Sequence, residues 1–291
     1  MHEITTLTPG QFARFQQLIY RETGIRMQDG KVTLMSNRIR QRLRHHGLES
    51  FDDYERLLAS RTHPDEMTAF IDCITTNETS FFRTPAHFEW FTGAFLPEFA
   101  ARVREGTHDP VLRVWSAACS TGEELYTLSI CAAEHAHRIV GIRRALLGTD
   151  ISETVLAKAR EGRYAARSFE GVDKRRIDRH FVADADGLHW TVKPTVRQGC
   201  EFRHHNLLEP IKGGPFDCVF IRNVMIYFDR ASKEIAVGHL VRALAPGGYL
   251  VVGPADGIHD LLGGLQKRDT FLYQKPSEPK PSGLPPAEPK A

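Results

Sequence analysis

The chain has 291 residues, 41% of them hydrophobic and 25% charged, and 38 Lys+Arg against 36 Asp+Glu give a formal net charge of +2. That length suits two domains with real cores, and the near-neutral balance argues against a dedicated nucleic-acid binder while leaving room for a local basic patch. No basic-then-apolar leader opens the sequence and no window offers 18 apolar residues for a membrane span. Five scattered cysteines without a C-x-x-C pair speak for a reduced, cytoplasmic protein.

In chain order, residues 8–72 read as helices throughout. Thr8-Pro9 is an N-cap followed by an N1 proline, opening a helix whose Phe12, Phe15, Leu18 and Ile19 share a face. Val32, Met35, Ile39 and Leu43 keep the same spacing in a second helix, and 50–58 and 64–74 supply two more. Beyond about residue 110 the pattern changes to strands at 111–115, 145–150, 216–221 and 249–252, alternating with helices at 123–136, 152–161 and 233–244. Alternation of that kind predicts βαβ units and a mainly parallel sheet, a doubly wound domain behind a small helical one. Residues 276–291 hold six of the sixteen prolines and little that could pack, so a disordered tail is expected.

In a doubly wound sheet ligands bind beyond the carboxyl ends of the strands. The loop after the first strand, Ser116-Ala117-Ala118-Cys119-Ser120-Thr121-Gly122-Glu123-Glu124, has one glycine and is not G-x-G-x-x-G, which weighs against a dinucleotide. Its acidic pair suits a cationic ligand group, or else complements the dipole of the following helix. Asp150 after the second strand could accept from two ribose hydroxyls, or could cap the next helix. Asn206-Leu207 reads as a ligand contact or a turn, while Arg222-Asn223 directly after a buried apolar strand is unusual as pure structure. A nucleoside carrying an amino-acid tail fits these four positions, and S-adenosylmethionine is such a ligand. None of the fourteen histidines has metal-ligand spacing with a third partner, so no metal is expected. Arg38, Arg40, Arg42 and Arg44, with no acid among them, read as four arginines on one exposed surface.

Three longer motifs carry a resemblance. Thr75-Thr76-Asn77-Glu78-Thr79-Ser80-Phe81-Phe82-Arg83 resembles the T-T-N-E-T-x-F-F-R signature of the CheR family of chemotaxis receptor methyltransferases. Residues 114–124 look like that family's cofactor loop, and Arg222-Asn223-Val224-Met225-Ile226-Tyr227-Phe228-Asp229 like its fourth-strand motif. The resemblance covers about residues 10–275. It implies a Rossmann-like, doubly wound α/β methyltransferase domain with a small all-α N-terminal domain and a small β-insertion. The expected boundaries are 1–76 for the helical, receptor-contacting domain and 77–84 for a linker contributing to the cofactor site. The methyltransferase domain would be 85–275, with the insertion at about 181–202.

The implied function is transfer of a methyl group from S-adenosylmethionine to glutamates of methyl-accepting chemotaxis receptors, leaving S-adenosylhomocysteine. By motif match, Asn77, Thr79 and Arg83 would contact the cofactor, Glu124 its ammonium and Asp150 its ribose. Asn206, Leu207, Arg222 and Asn223 would surround the adenine and tail, and Arg83 and Tyr227 would position the reacting groups. Arg38, Arg40, Arg42 and Arg44 would meet acidic receptor helices. The expected molecule is a monomer that inserts in no membrane and binds no nucleic acid. A glycine-rich loop ending in arginine is missing from the insertion, which predicts independence from a receptor's C-terminal pentapeptide. Gly253-Pro254-Ala255-Asp256 stands where the family usually has Gly-His-Ser-Glu, the one feature that would suit a catalytically weak, scaffolding relative.

Overall fold

A computed structural model describes residues 6–60 and 62–277 of the chain. The stretch expected to form a disordered tail lies outside the described residues except for Pro276 and Ser277.

Among the described residues four α-helices form the N-terminal unit: α1 (Pro9–Thr23), α2 (Val32–His46), α3 (Phe51–Ser60) and α4 (Pro64–Ile74). A capping box starts α1, in which the Thr8 hydroxyl accepts from Gln11 N and the Gln11 side chain accepts from Thr8 N. Phe12, Phe15, Ile19, Met35, Ile39, Leu43, Tyr54 and Phe70 meet in one core. Each such side chain contributes roughly 2 kcal/mol of transfer free energy by leaving water.

Residues 85–104, to which the sequence reading assigns no element, fold as α5 (Pro85–Trp90), a π-helical turn (Phe91–Phe95) and α6 (Leu96–Arg104). The signal was present in Phe88, Phe91, Phe95 and Phe99, which recur at helical spacing and pack on one face of the sheet beyond. Gly93 and Pro97 obscure it.

The remaining elements are β1 (Val111–Ala117), α7 (Glu123–Glu134), β2 (Arg143–Asp150), α8 (Glu153–Glu161), β3 (Arg163–Ala165), α9 (Lys174–His180), β4 (Phe181–Ala183), β5 (His189–Val192), α10 (Pro194–Arg197), β6 (Cys200–His204), β7 (Phe216–Ile221), α11 (Arg230–Ala243), β8 (Leu244–Val252), β9 (Gln266–Lys267) and β10 (Leu272–Gln274). Seven strands make the main sheet in the order β6-β2-β1-β7-β8-β10-β9. The first five are parallel, and β10 pairs antiparallel with both β8 and β9. The chain winds outward from β1 to β6, returns to β7 on the other side of β1, and so places its topological switch between β1 and β7. Register puts Ala117 level with Thr149 and Ile221, so the ends of the three central strands form one rim.

Two expectations need correction. The small sheet, order β3-β5-β4, draws its first strand from Arg163–Ala165, whereas residues 200–202 belong to the edge strand β6 of the main sheet. The insertion thus starts earlier and ends earlier than 181–202, because β6 is needed to cover β2. The strand expected at 249–252 begins at Leu244, so Pro246-Gly247-Gly248 lies inside β8, with a register shift against β7.

The two units are stitched by backbone and side chains together. Arg26 N donates to Tyr227 O at 2.8 Å beside an Ile25–Phe228 bridge, and Asn206 Nδ2 donates to Glu22 O at 2.9 Å. Asp72 on α4 accepts from Thr154 N at 3.1 Å and Thr154 Oγ1 at 2.5 Å in the first turn of α8. No helix among the described residues is long and apolar enough to cross a membrane.

Candidate functional site

A cavity of about 420 Å³ opens at the switch point, between the rim of β1, β2 and β7 and the helical unit above it. Its lining includes Asn77, Thr79, Arg83, Glu124, Asp150, Asn206, Leu207, Arg222, Asn223 and Tyr227, every residue the sequence reading assigns to catalysis or cofactor. The loops bringing them there are strained. Among the described residues five non-glycine side chains sit on left-handed backbone, at Phe82, Thr84, Ala118, Ser120 and Asn223, with φ from 50° to 63°. Three line the cavity and the other two flank Arg83. Such positions cost on the order of 1–3 kcal/mol each and persist where surrounding structure over-determines them.

The β1–α7 loop ends at Gly122, with φ 92°, where an added Cβ would meet Ala159 Cβ at 2.8 Å and the Phe202 ring at 3.1 Å. The single glycine of this loop is therefore set by chain packing as well as conformation. Beyond it Glu124 turns into the cavity, accepting from Ser116 Oγ at 2.7 Å and from Arg222 Nη1 at 3.0 Å. Arg222 also donates to Arg83 O at 2.5 Å, while its Nε is buried without a partner, as is His205 Nε2 on the same lining. Burial drives both members of the pair toward neutrality, the Glu124 carboxyl upward and the Arg222 guanidinium downward, and their mutual attraction offsets only part of this. Glu123 points elsewhere: it is buried and accepts from Thr121 and Ser168 hydroxyls, so only one of the two acids faces the cavity.

Asp150 holds its own surroundings together before any ligand is considered. It accepts from Ser120 N at 2.8 Å and Ser152 N at 3.0 Å, while Ser152 supplies the hydroxyl cap of α8. The capping reading and the ligand reading thus coexist, since a carboxylate has about four acceptor sites. Burial raises its pKa against those backbone hydrogen bonds. Asn206 is likewise a turn residue, accepting from Leu208 N at 3.0 Å while its amide donates to Glu22 O. Ser120 Oγ donates to Asn77 O at 2.8 Å, fixing the linker over the rim.

Asp256, the last residue of the segment that departs from Gly-His-Ser-Glu, is fully buried and accepts from the backbone N–H groups of Asn223, Val224 and Met225 at 2.9–3.0 Å. His87 lies outside the cavity lining: 2% exposed, it stacks on Phe271 with centroids 4.3 Å apart, and burial beside Arg222 lowers its pKa to about 4. Among the described residues no group of three or more His, Cys, Asp or Glu is arranged to hold a metal.

The four arginines of α2 do not share one exposed surface. A step of two residues rotates the helix by about 200°, so Arg38 and Arg42 face one way and Arg40 and Arg44 the other. Arg42 donates to both oxygens of buried Glu66 at 2.9 and 2.5 Å, and Arg38 bonds the carbonyls of Ile74 and Thr75. Arg40 is half-buried and Arg44 alone is exposed.

This geometry agrees with the comparisons. Residues 77–270 match the family described as CheR methyltransferase, SAM binding domain, and residues 10–75 the one described as CheR methyltransferase, all-alpha domain. The chain is 36% identical over 278 residues to the chemotaxis protein methyltransferase of Salmonella typhimurium, covering 94% of this chain and 92% of the relative. With the chemotaxis protein methyltransferase of Escherichia coli it shares 36% over 278 residues, 94% and 93% of the two chains. With chemotaxis protein methyltransferase Cher2 of Pseudomonas putida it shares 32% over 255 residues, 86% and 91%. A chain with both matching domains, and a cavity where they meet, belongs to the CheR family of S-adenosylmethionine-dependent methyltransferases.

Proposed function

We propose that the protein methylates glutamate side chains on the cytoplasmic helices of methyl-accepting chemotaxis receptors, giving glutamyl methyl esters and S-adenosylhomocysteine. The observation that carries this reading is the charge layout of one cavity. Two carboxylates, Glu124 and Asp150, lie inward, and three cations, Arg26, Lys31 and Arg83, outnumber one acid, Glu78, at exposed positions of the lining. Acids inside suit the ammonium and ribose of the cofactor, and cations outside suit a negatively charged acceptor. The unpartnered Nε of Arg222 and Nε2 of His205 are donor or acceptor atoms of the kind a polar ligand satisfies on entry.

Bound S-adenosylmethionine supplies an electrophilic methyl that an ionised glutamate attacks in line, the C–O bond forming as the S–C bond breaks with its electron pair left on sulfur. Glutamate is already a carboxylate at neutral pH, so the protein needs no strong base. Its residues act by placement. Glu124 would hold the ammonium, Asp150 the ribose hydroxyls, and Asn77, Thr79, Arg83, Asn206, Leu207, Arg222 and Asn223 the remainder of the cofactor. Tyr227, in the lining beside the exposed Ile226, would orient the incoming carboxylate together with Arg83, and the helical unit would exclude water. Arg40 and Arg44 would extend the contact to the receptor helix.

Incubation with labelled S-adenosylmethionine and receptor signalling fragments should yield base-labile methyl esters. Fragments with and without a C-terminal pentapeptide should react at equal rates. No transfer, or transfer into base-stable linkages, would sink the glutamate assignment.

A further inference from the structure

We propose that Asp256 is a positioning residue of the cofactor site, its buried carboxylate seated in the space left by Gly253 and holding the Asn223–Met225 backbone so that Asn223 lines the cavity. The inference rests on the reading that this cavity takes S-adenosylmethionine. Asp256 lies past the end of β8 and has no exposed surface. One oxygen accepts from Asn223 N at 2.9 Å, and the other from Val224 N at 3.0 Å and Met225 N at 2.9 Å. Three successive amides converging on one carboxylate form a concave anion cradle, here filled by the chain itself, with charge-assisted bonds about twice as strong as neutral ones.

Two independent observations tie this cradle to the ligand cavity rather than to general packing. Asn223 is one of the five left-handed non-glycine residues, and it lines the cavity directly after Arg222. Its conformation is unfavourable for an L-residue, so the orientation of its side chain depends on what restrains its N–H. The second observation is Gly253, where an added Cβ would lie 2.3 Å from Asp256 Oδ2 and 3.1 Å from Asn223 N. Glycine is needed there to admit the carboxylate beneath the loop. Pro254 and Ala255 then close a short turn in which Asp256 N donates back to Gly253 O at 3.2 Å. The departure from Gly-His-Ser-Glu therefore keeps a carboxylate at its fourth position and gives it a defined task.

The test is a double-mutant cycle read by calorimetric titration of the full chain with S-adenosylhomocysteine. Asp256→Asn keeps the shape of the side chain but faces one amide donor with another. It should weaken binding about tenfold at unchanged stoichiometry. In the Asn223→Ala background the same change should cost less than about threefold, because the group it positions is gone. A loss of folded protein would lower the stoichiometry instead of the affinity. An undiminished loss in the Asn223→Ala background, or wild-type affinity in Asp256→Asn, would overturn the inference. Should Asp256→Asn fail to fold, Gly253→Ala retains the carboxylate while crowding it, and the same cycle applies. Absence of binding by the unsubstituted chain would overturn the cofactor reading and this inference with it, whereas normal binding unaffected by Asp256→Asn overturns the inference alone.

Discussion

Glu124 and Arg222 are buried against each other at 3.0 Å, and burial dominates both, pushing the carboxyl pKa up and the guanidinium pKa down. Asp150 is raised by the same cause. A carboxylate whose folded pKa exceeds its unfolded value contributes most to stability below the unfolded pKa, and that contribution is lost as pH rises through the folded one. At neutral pH these two groups therefore weigh against the empty protein. In the proposed binding mode the sign is opposite, since an ionised Glu124 attracts the ammonium and an ionised Asp150 accepts more strongly from the ribose hydroxyls. Affinity for S-adenosylhomocysteine should fall on acidification, starting at a higher pH than free Asp and Glu would give because both carboxyl pKa values are raised. Glu124→Gln should weaken binding by about a hundredfold and flatten part of that fall, and a profile unchanged by the substitution would contradict the assignment. Sequence made these residues legible because topology forces strand ends onto one rim, and Glu124, Asp150 and Arg222 each follow a recognisable strand. Asp256 was not legible in the same way. Its partners lie more than 30 residues away, and only the space above Gly253 shows that the carboxylate fits beneath them.

Individual helices carry a different lesson. In α2 the composition drew attention to four arginines, but helix geometry divides them into two pairs. Glu66 on α4 is 4% exposed, and burial alone would raise its pKa. Hydrogen bonds from Arg42, the Tyr54 hydroxyl and His46 outweigh that and bring it to about 2. A depressed carboxylate stabilises the fold above its unfolded pKa, and the contribution fades as pH falls through the folded one. The helical unit should thus lose this support as pH falls from about 4.5 toward 2. Arg42→Glu breaks the buried pair and sets two carboxylates together, which should cost about 3 kcal/mol or more in urea unfolding. Arg40→Glu with Arg44→Glu should change stability by less than about 1 kcal/mol yet slow methylation of receptor fragments several-fold. An unchanged methylation rate would remove this face of α2 from the interface. Elements with clear boundaries, such as α4 and β7, are readable to the residue from the sequence. The α5–α6 segment and β10 were not, since glycine and proline masked the first and β10 is only three residues long.

The cavity exists only because two units with separate hydrophobic cores meet across it. Asp72 illustrates how ligand affinity depends on that meeting without contact with the ligand. It lies outside the cavity lining, yet it accepts from the first turn of α8, the helix that follows Asp150, and so ties α4 to the β2–α8 turn. An acid at a helix N-terminus is stabilising both by hydrogen bonding and by the dipole. Its removal should let the units separate slightly and lose the fixed placement of Asn77 and Thr79 over Asp150. Asp72→Ala is therefore expected to weaken S-adenosylhomocysteine binding three- to tenfold while leaving Glu124, Asp150 and Arg222 intact, about 1 kcal/mol of coupling. In the unsubstituted chain, ligand at 100 times its Kd should raise stability by about 2.7 kcal/mol. Because a ligand in the proposed site would touch residues of both units, that gain should move a single calorimetric unfolding transition upward as a whole. In Asp72→Ala the transition should broaden or split, with the helical unit responding less to ligand. Two transitions already present in the unsubstituted chain, only one of them shifted by ligand, would show that the units fold and bind independently, and the interdomain account of the site would fail.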